Sequence, residues 1–189
     1  MNPDKGADAA VPQPADVIAF WHAAGPEKWY RKDAAFDREI TARFLGLHET
    51  AAAGRLSDWE ATPAGALALL LLLDQFPRNM FRGSPRAFAT DPLARAVADR
   101  AIARGFDTAA MSADRTFFYL PFEHSENLTD QERSLALSRQ AGGGKADRYA
   151  EIHADVIRRF GRFPHRNAVL GRATTAEEQA FLDGGGFAG

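Results

Sequence analysis

"ALALLLLLDQFPRN", residues 66–79, is the stretch on which the fold turns. The run Ala66 to Leu73 is apolar all round rather than on one face, so a helix built from it is central and covered on several sides. It is far shorter than the ~20 residues of a membrane crossing. Thr62-Pro63 marks its start, with proline at a position whose amide has no helical partner to lose. Its end carries an aromatic, a proline, an arginine and an asparagine. The chain writes that combination again as "RFPHRN", residues 162–167.

On either side of this run the spacing stays helical, and no segment alternates apolar and polar residues long enough for a strand. Phe36, Ile40, Phe44 and Leu47 form one stripe. Leu93, Val97 and Ala101, flanked by Ala94, Ala98 and Ile102, form a second, and Tyr149, Ile152, Val156 and Phe160 a third. Ser57–Glu60, Thr129–Glu132 and Thr174–Glu177 fit the capping box, and Ser84-Pro85 marks another start. "RTFFYLPFEHSE", 115–126, is a second fully apolar helix that Pro121 kinks or ends near Phe122. The fold expected is all-α, about eight antiparallel-paired helices joined by short loops. It forms one domain over 1–189, with 1–12 and 184–189 as frayed tails.

Composition narrows the function classes. A 46% apolar, 25% charged chain with net charge −2 offers no electrostatic footprint for nucleic acid or an anionic membrane. No cysteine is present, which excludes disulfides and thiolate metal sites. The N-terminus lacks an apolar core of signal-peptide length, so the chain reads as soluble and cytoplasmic. Arginine outnumbers lysine 19 to 4. A GC-rich genome explains the bias, yet guanidinium forks also suit carboxylates and phosphates.

The two repeated segments have a plain reading as helix–turn–helix connectors, with proline stopping a helix and asparagine accepting the turn. Charge is left over. Asp74 sits in the last turn of the apolar run, and Glu123 and Glu126 near the end of another, where the helix dipole disfavours anions by ~0.3–1 kcal/mol. Arg78 answers Asp74 locally, and Arg162 and Arg166 answer Glu123 and Glu126. Three helix ends with misplaced charge are thereby expected to meet in one site. Arg78, Asn79, Arg162, Arg166 and Asn167, beside Asp74, are its ligand-binding candidates, suited to clamping a carboxylate or phosphate. Glu123, His124, Glu126 and His165 are its candidate acid–base groups. His153 reads as a core-edge residue, and His22 and His48 carry no signal.

Other chemistries lack their templates. There is no H-E-x-x-H, no E-x-x-H pair, no G-x-S-x-G and no dinucleotide-binding glycine pattern. "AGGGKAD", 141–147, is not a phosphate loop, because Ala146 stands where Ser or Thr is required. No metal site and no cofactor are expected.

At "LDQFPRNMFRG", "LPFEHSE" and "RFGRFPHRNAVLGR" the sequence resembles a bacterial family catalogued as domain of unknown function 924. The likeness runs from "VIAFWHAAGPEKWY" to "TTAEEQAFL". It implies a tetratricopeptide-like right-handed superhelical array of helix pairs, and no known activity, substrate or cofactor. The family's signature residues map onto Asp74, Gln75, Arg78, Asn79, Glu123, His124, Ser125, Glu126, Arg162, His165, Arg166 and Asn167. Two partner classes follow. One is a small anionic molecule held at the three segments, where acid–base or hydrolytic chemistry would act on it. The alternative is a helical interaction module whose exposed aromatics, Trp21, Trp29 and Tyr30, anchor a protein partner.

Overall fold

Thr62 opens the central helix as its N-cap, the hydroxyl accepting the Gly65 amide, with Pro63 in the first turn. The structure is a computed structural model that describes residues 12–188. It carries this helix, α4 (Pro63–Leu70), into a π turn at Leu71–Gln75 and on through α5 (Phe76–Met80). Every residue from 65 to 77 is buried. The rod therefore does not stop at Pro77, as the connector reading requires. The π turn absorbs the proline: the Phe76 amide reaches back five residues to the Leu71 carbonyl. Carbonyls left without a helical donor are met from outside. His48 Nδ1 donates to Leu72 O at 2.8 Å, the Thr90 hydroxyl to Leu73 O at 2.6 Å, and the Arg78 guanidinium to Asp74 O.

His48, silent in the sequence, thus has a structural task. His48→Leu leaves the buried Leu72 carbonyl unpaired and should cost about 1–3 kcal/mol, read as a lower urea midpoint. An unchanged midpoint would show that the π turn satisfies itself.

Around the rod lie α1 (Pro14–Ala24), α2 (Pro26–Trp29), α3 (Ala34–Ala52), α6 (Asp91–Ala103), α7 (Phe106–Ala109), α8 (Thr116–Glu123), α9 (Leu128–Ala141), α10 (Arg148–Phe160) and α11 (Ala176–Asp183). The class is all-α, with no strand among the described residues. More helices are present than the eight expected, because α2 and α7 are single turns and the π turn divides α4 from α5. α3 packs along the π turn and α5, and α4 against α1 and α6. α6 packs on α8, α8 on α9, and α9 on α10. The 3₁₀ turn Ser57–Ala61 presses on the first turn of α4, where a Cβ on Gly65 would lie 2.0 Å from the Trp59 carbonyl oxygen. Only glycine fits there. Among the described residues no helix is long and apolar enough to cross a membrane.

The α3 stripe is buried as its spacing predicts. Two other stripes are rotated. α6 turns Ala94, Val97, Ala98 and Ala101 inward and leaves Leu93 exposed. α10 turns in Ala150, His153, Ala154, Val156 and Ile157 while Tyr149 faces solvent, since Ala150 and Ala154 let it close on Leu135 of α9. Trp21 is no surface anchor. It is fully buried, stacked on Trp29 at 5.5 Å, and of the three proposed anchors only Tyr30 is exposed.

Caps also move. α9 starts on Asn127 instead of Thr129, the box at the C-terminal helix is Thr175 with Glu178, and Ser57 caps nothing. α8 runs through Pro121 to Glu123. Of the expected tails, residues 1–11 lie outside the described residues. Residues 184–188 do not splay out: Gly185 and Gly186 donate back to Leu182 and Phe181, and Phe187 packs against α10.

Candidate functional site

The π turn aims Asp74 into the interior, where it is 1% exposed. It accepts a hydrogen bond from His124 Nδ1 at 2.8 Å and another from the Gln75 amide, with the Arg78 guanidinium at 3.4 Å. Arg78 turns its fork to Asp91, at 3.1 and 3.2 Å. Asp91 opens α6, where the dipole favours an anion. Arg166, from the 3₁₀ turn Pro164–Arg166, lies 3.7 Å from Asp91 and donates to the His124 carbonyl at 3.1 Å. Its guanidinium is sandwiched between the Phe88 and Phe163 rings, at 4.5 and 4.4 Å. Asp74, Arg78, Asp91 and Arg166 therefore alternate in charge, and His124 closes the ring, its imidazole on Asp74 and its carbonyl on Arg166.

Protonation follows from that ring. Burial pushes the Asp74 carboxyl up, but Arg78 and His124 outweigh it and hold the carboxylate below its usual range. Burial, then the Arg78 charge, lowers His124. A carboxylate only accepts, so the neutral imidazole carries its proton on Nδ1 and its lone pair on Nε2.

Glu123 has no cation beside it. Burial first, then the Asp147 and Asp74 carboxylates, pushes it up to about 8, and at neutral pH it is a carboxylic acid. Its Oε1 lies 3.1 Å from Nδ1 of His153, which donates to the Tyr149 carbonyl at 2.7 Å. Burial and neighbouring His124 lower His153 to about 3, and the two rings stand 6.1 Å apart. His165 is lowered to about 4 by burial and Arg166. Burial brings Arg166 down to about 10, still cationic at neutral pH. Within this cluster two buried nitrogens, His165 Nδ1 and Arg166 Nε, have no partner.

The members of the ring differ in exposure. Side-chain exposure climbs from 1% at Asp74 to 13% at His124 and 21% at Arg78. Tyr30, two-thirds open to solvent, is nonetheless desolvated by surrounding protein and feels Glu123, Asp147 and Asp74, which together push its phenol up to about 12.

Other expected members are elsewhere. Asn79 donates to Asp37 at 2.8 Å, beside the Arg82 fork on the same carboxylate. Arg162 forks onto Glu178 at 2.6 and 2.9 Å, and Asn167 donates to the same carboxylate at 3.2 Å. Glu126 is answered by Arg172 at 2.6 and 2.9 Å and by the Phe163 amide at 2.8 Å. These form a clasp that fixes the turn carrying Arg166 and His165. The expected pairing of Arg162 and Arg166 with Glu123 and Glu126 is thus replaced: Arg172 serves Glu126, and Glu123 stays neutral. Sequence reading missed Asp91, which looks like an ordinary helix-start acid in "TDP", and set His153 aside as core edge. Among the described residues no group of three or more His, Cys, Asp or Glu is arranged to hold a metal.

The model of a family described as "Bacterial protein of unknown function (DUF924)" matches residues 17–186. A solved structure of a protein of unknown function, ATU0120 from Agrobacterium tumefaciens, is similar over 90% of this chain and 97% of that one, with 49% identity and a TM-score of 0.86. No curated protein is significantly similar.

Proposed function

The chain belongs to the DUF924 family of bacterial proteins of unknown function, and for its charged ring we propose a proton-transfer site that takes a small anionic molecule. His124 is the base: Asp74 fixes its Nδ1–H and leaves Nε2 free to accept. Glu123 is the acid, kept protonated by its buried, cation-free setting. Arg166 holds the ligand's negative charge, since its Nε is unspent and Asp91 engages it only at 3.7 Å. Arg78, saturated by two carboxylates, positions the ring. The observation that carries the reading is a buried aspartate–histidine pair beside a protonated carboxyl, two proton carriers with opposite tasks. Acid–base or hydrolytic chemistry on a carboxylate or phosphate is what such a pair serves.

Anion binding is tested by thermal melting with acetate, succinate or inorganic phosphate. A ligand at 100 times its Kd stabilises by about 2.7 kcal/mol, so one class should raise the wild-type Tm by roughly 5–10 °C. Arg166→Lys keeps the charge but loses the fork, and should lose most of that shift. If no anion moves the wild-type Tm, or Arg166→Lys responds equally, the site is not an anion site.

A further inference from the structure

After α11 the chain turns on three glycines, 184–186, and comes back over the helix that precedes them. A Cβ on Gly186 would meet the tip of the Phe181 ring at 2.5 Å, so a side chain there would have to push that ring aside. The crossing delivers Phe187, half-buried, onto His153 at 4.3 Å between ring centres. His165 lies at 5.2 Å and Phe163 at 6.2 Å.

These three rings are not a remote patch. His153 contacts Glu123, Phe163 lies under the Arg166 guanidinium, and His165 is the residue before Arg166. An aromatic ring is therefore held against the wall of the site where His165 Nδ1 and Arg166 Nε are both buried without a partner. A phenyl group satisfies neither nitrogen. Its tether is a three-glycine turn held by the backbone hydrogen bonds of Gly184, Gly185 and Gly186, with no side chain of its own to anchor it.

We propose that His153, Phe163 and His165 form an aromatic subsite occupied in this state by the chain's own Phe187, and that the true ligand is an aromatic or heteroaromatic acid. Its ring displaces Phe187 and its anionic group turns to Arg166. The inference rests on the anion-site reading above and adds the shape of the ligand to it. It also explains why a ring is parked beside unpartnered nitrogens: the ring half of the ligand is mimicked and the anionic half is not.

The experiment measures the Kd of benzoate, cyclohexanecarboxylate and acetate by titration calorimetry, for wild type and Phe187→Ala. The His153 and His165 ring-proton shifts are followed by NMR. Phe187→Ala should bind benzoate at least tenfold tighter than wild type, because no internal ring competes. Acetate should bind the two proteins alike, and cyclohexanecarboxylate should gain less than benzoate, lacking a flat face to stack. Loss of the ring current of Phe187 should shift both histidines in the free variant, and benzoate should restore a shift. Equal benzoate affinity in the two proteins, or weaker binding to Phe187→Ala, overturns the subsite. If acetate still binds through Arg166 in that case, the anion site survives without the aromatic half. If none of the three acids binds either protein, both readings fall together. Phe187→Leu guards against a folding artefact: it keeps the packing volume, and should bind benzoate more tightly than wild type only if the phenyl plane matters.

Discussion

Arg78→Ala is expected to destabilise the protein by about 3–5 kcal/mol, the range for removing one partner of a buried ion pair. Arg78 stands between two carboxylates, Asp74 and Asp91, and each is almost wholly shielded from water. Without the guanidinium, Asp91 keeps only Arg166 at 3.7 Å, and Asp74 keeps His124 and Gln75. The same substitution removes the cation that depresses His124, so the imidazole pKa should rise and part of the lost charge balance return as an imidazolium. Urea denaturation measures the first effect and an NMR titration of His124 the second. Arg78→Lys should recover only part of the stability, because a single ammonium cannot fork onto Asp91 while reaching Asp74. A loss below about 1 kcal/mol would mean that water, not Arg78, neutralises this ring.

Glu123→Gln should change how stability depends on pH, and by a comparable amount. In the folded protein Glu123 keeps its proton up to about pH 8, against 4.5 for the unfolded chain. The folded state binds the extra proton between those values, so stability falls as pH rises through that window, by at most ~1.4 kcal/mol per unit. His153 is the mirror case, lowered from 6.5 to about 3. There the unfolded chain binds the extra proton, and stability falls as pH drops through that window. His165, lowered to about 4, adds a slope of the same sign, so between 4.5 and 6.5 the histidines oppose Glu123, and above 6.5 Glu123 acts alone. Wild type should therefore lose on the order of 2 kcal/mol between pH 6.5 and 8. In Glu123→Gln that loss should vanish, leaving the variant the more stable protein at pH 8. Between 4.5 and 6.5 the variant should gain stability with pH more steeply than wild type, His153 and His165 now acting unopposed by Glu123. Urea midpoints at pH 5, 6.5 and 8 suffice. An identical decline in both proteins would show that Glu123 is ionised when folded, and with it the proposed proton donor would be lost.

The helices were legible because their causes are local. The run 66–73 has no polar face, which by itself demands burial on all sides, and α4 with the π turn is buried along almost its whole length. Thr62-Pro63 and the α3 stripe needed nothing beyond their own spacing. The stripes of α6 and α10 came out rotated because each helix's own small residues decide which of two adjoining faces closes: Ala150 and Ala154 admit α9, and Tyr149 is turned outward. Pro77 misled for a related reason. Proline stops a helix when its freed carbonyls have nowhere to go, and His48 and Thr90, from two other elements, provide donors for them.

The candidate site divides the same way. Sequence alone determined that Asp74, Glu123 and Glu126 lie in or beside apolar helical runs and must be matched or neutralised, since the cost of a buried lone charge holds in any fold. Which remedy each receives was decided only in three dimensions. Asp74 is given guanidinium and imidazole, Glu126 is given Arg172, and Glu123 keeps its proton because no cation reaches it. Burial can be inferred from a run of side chains along one helix. The partner of a charge cannot, because Coulomb attraction acts through space and the groups that answer Asp74 lie as far as 50 positions away in the chain.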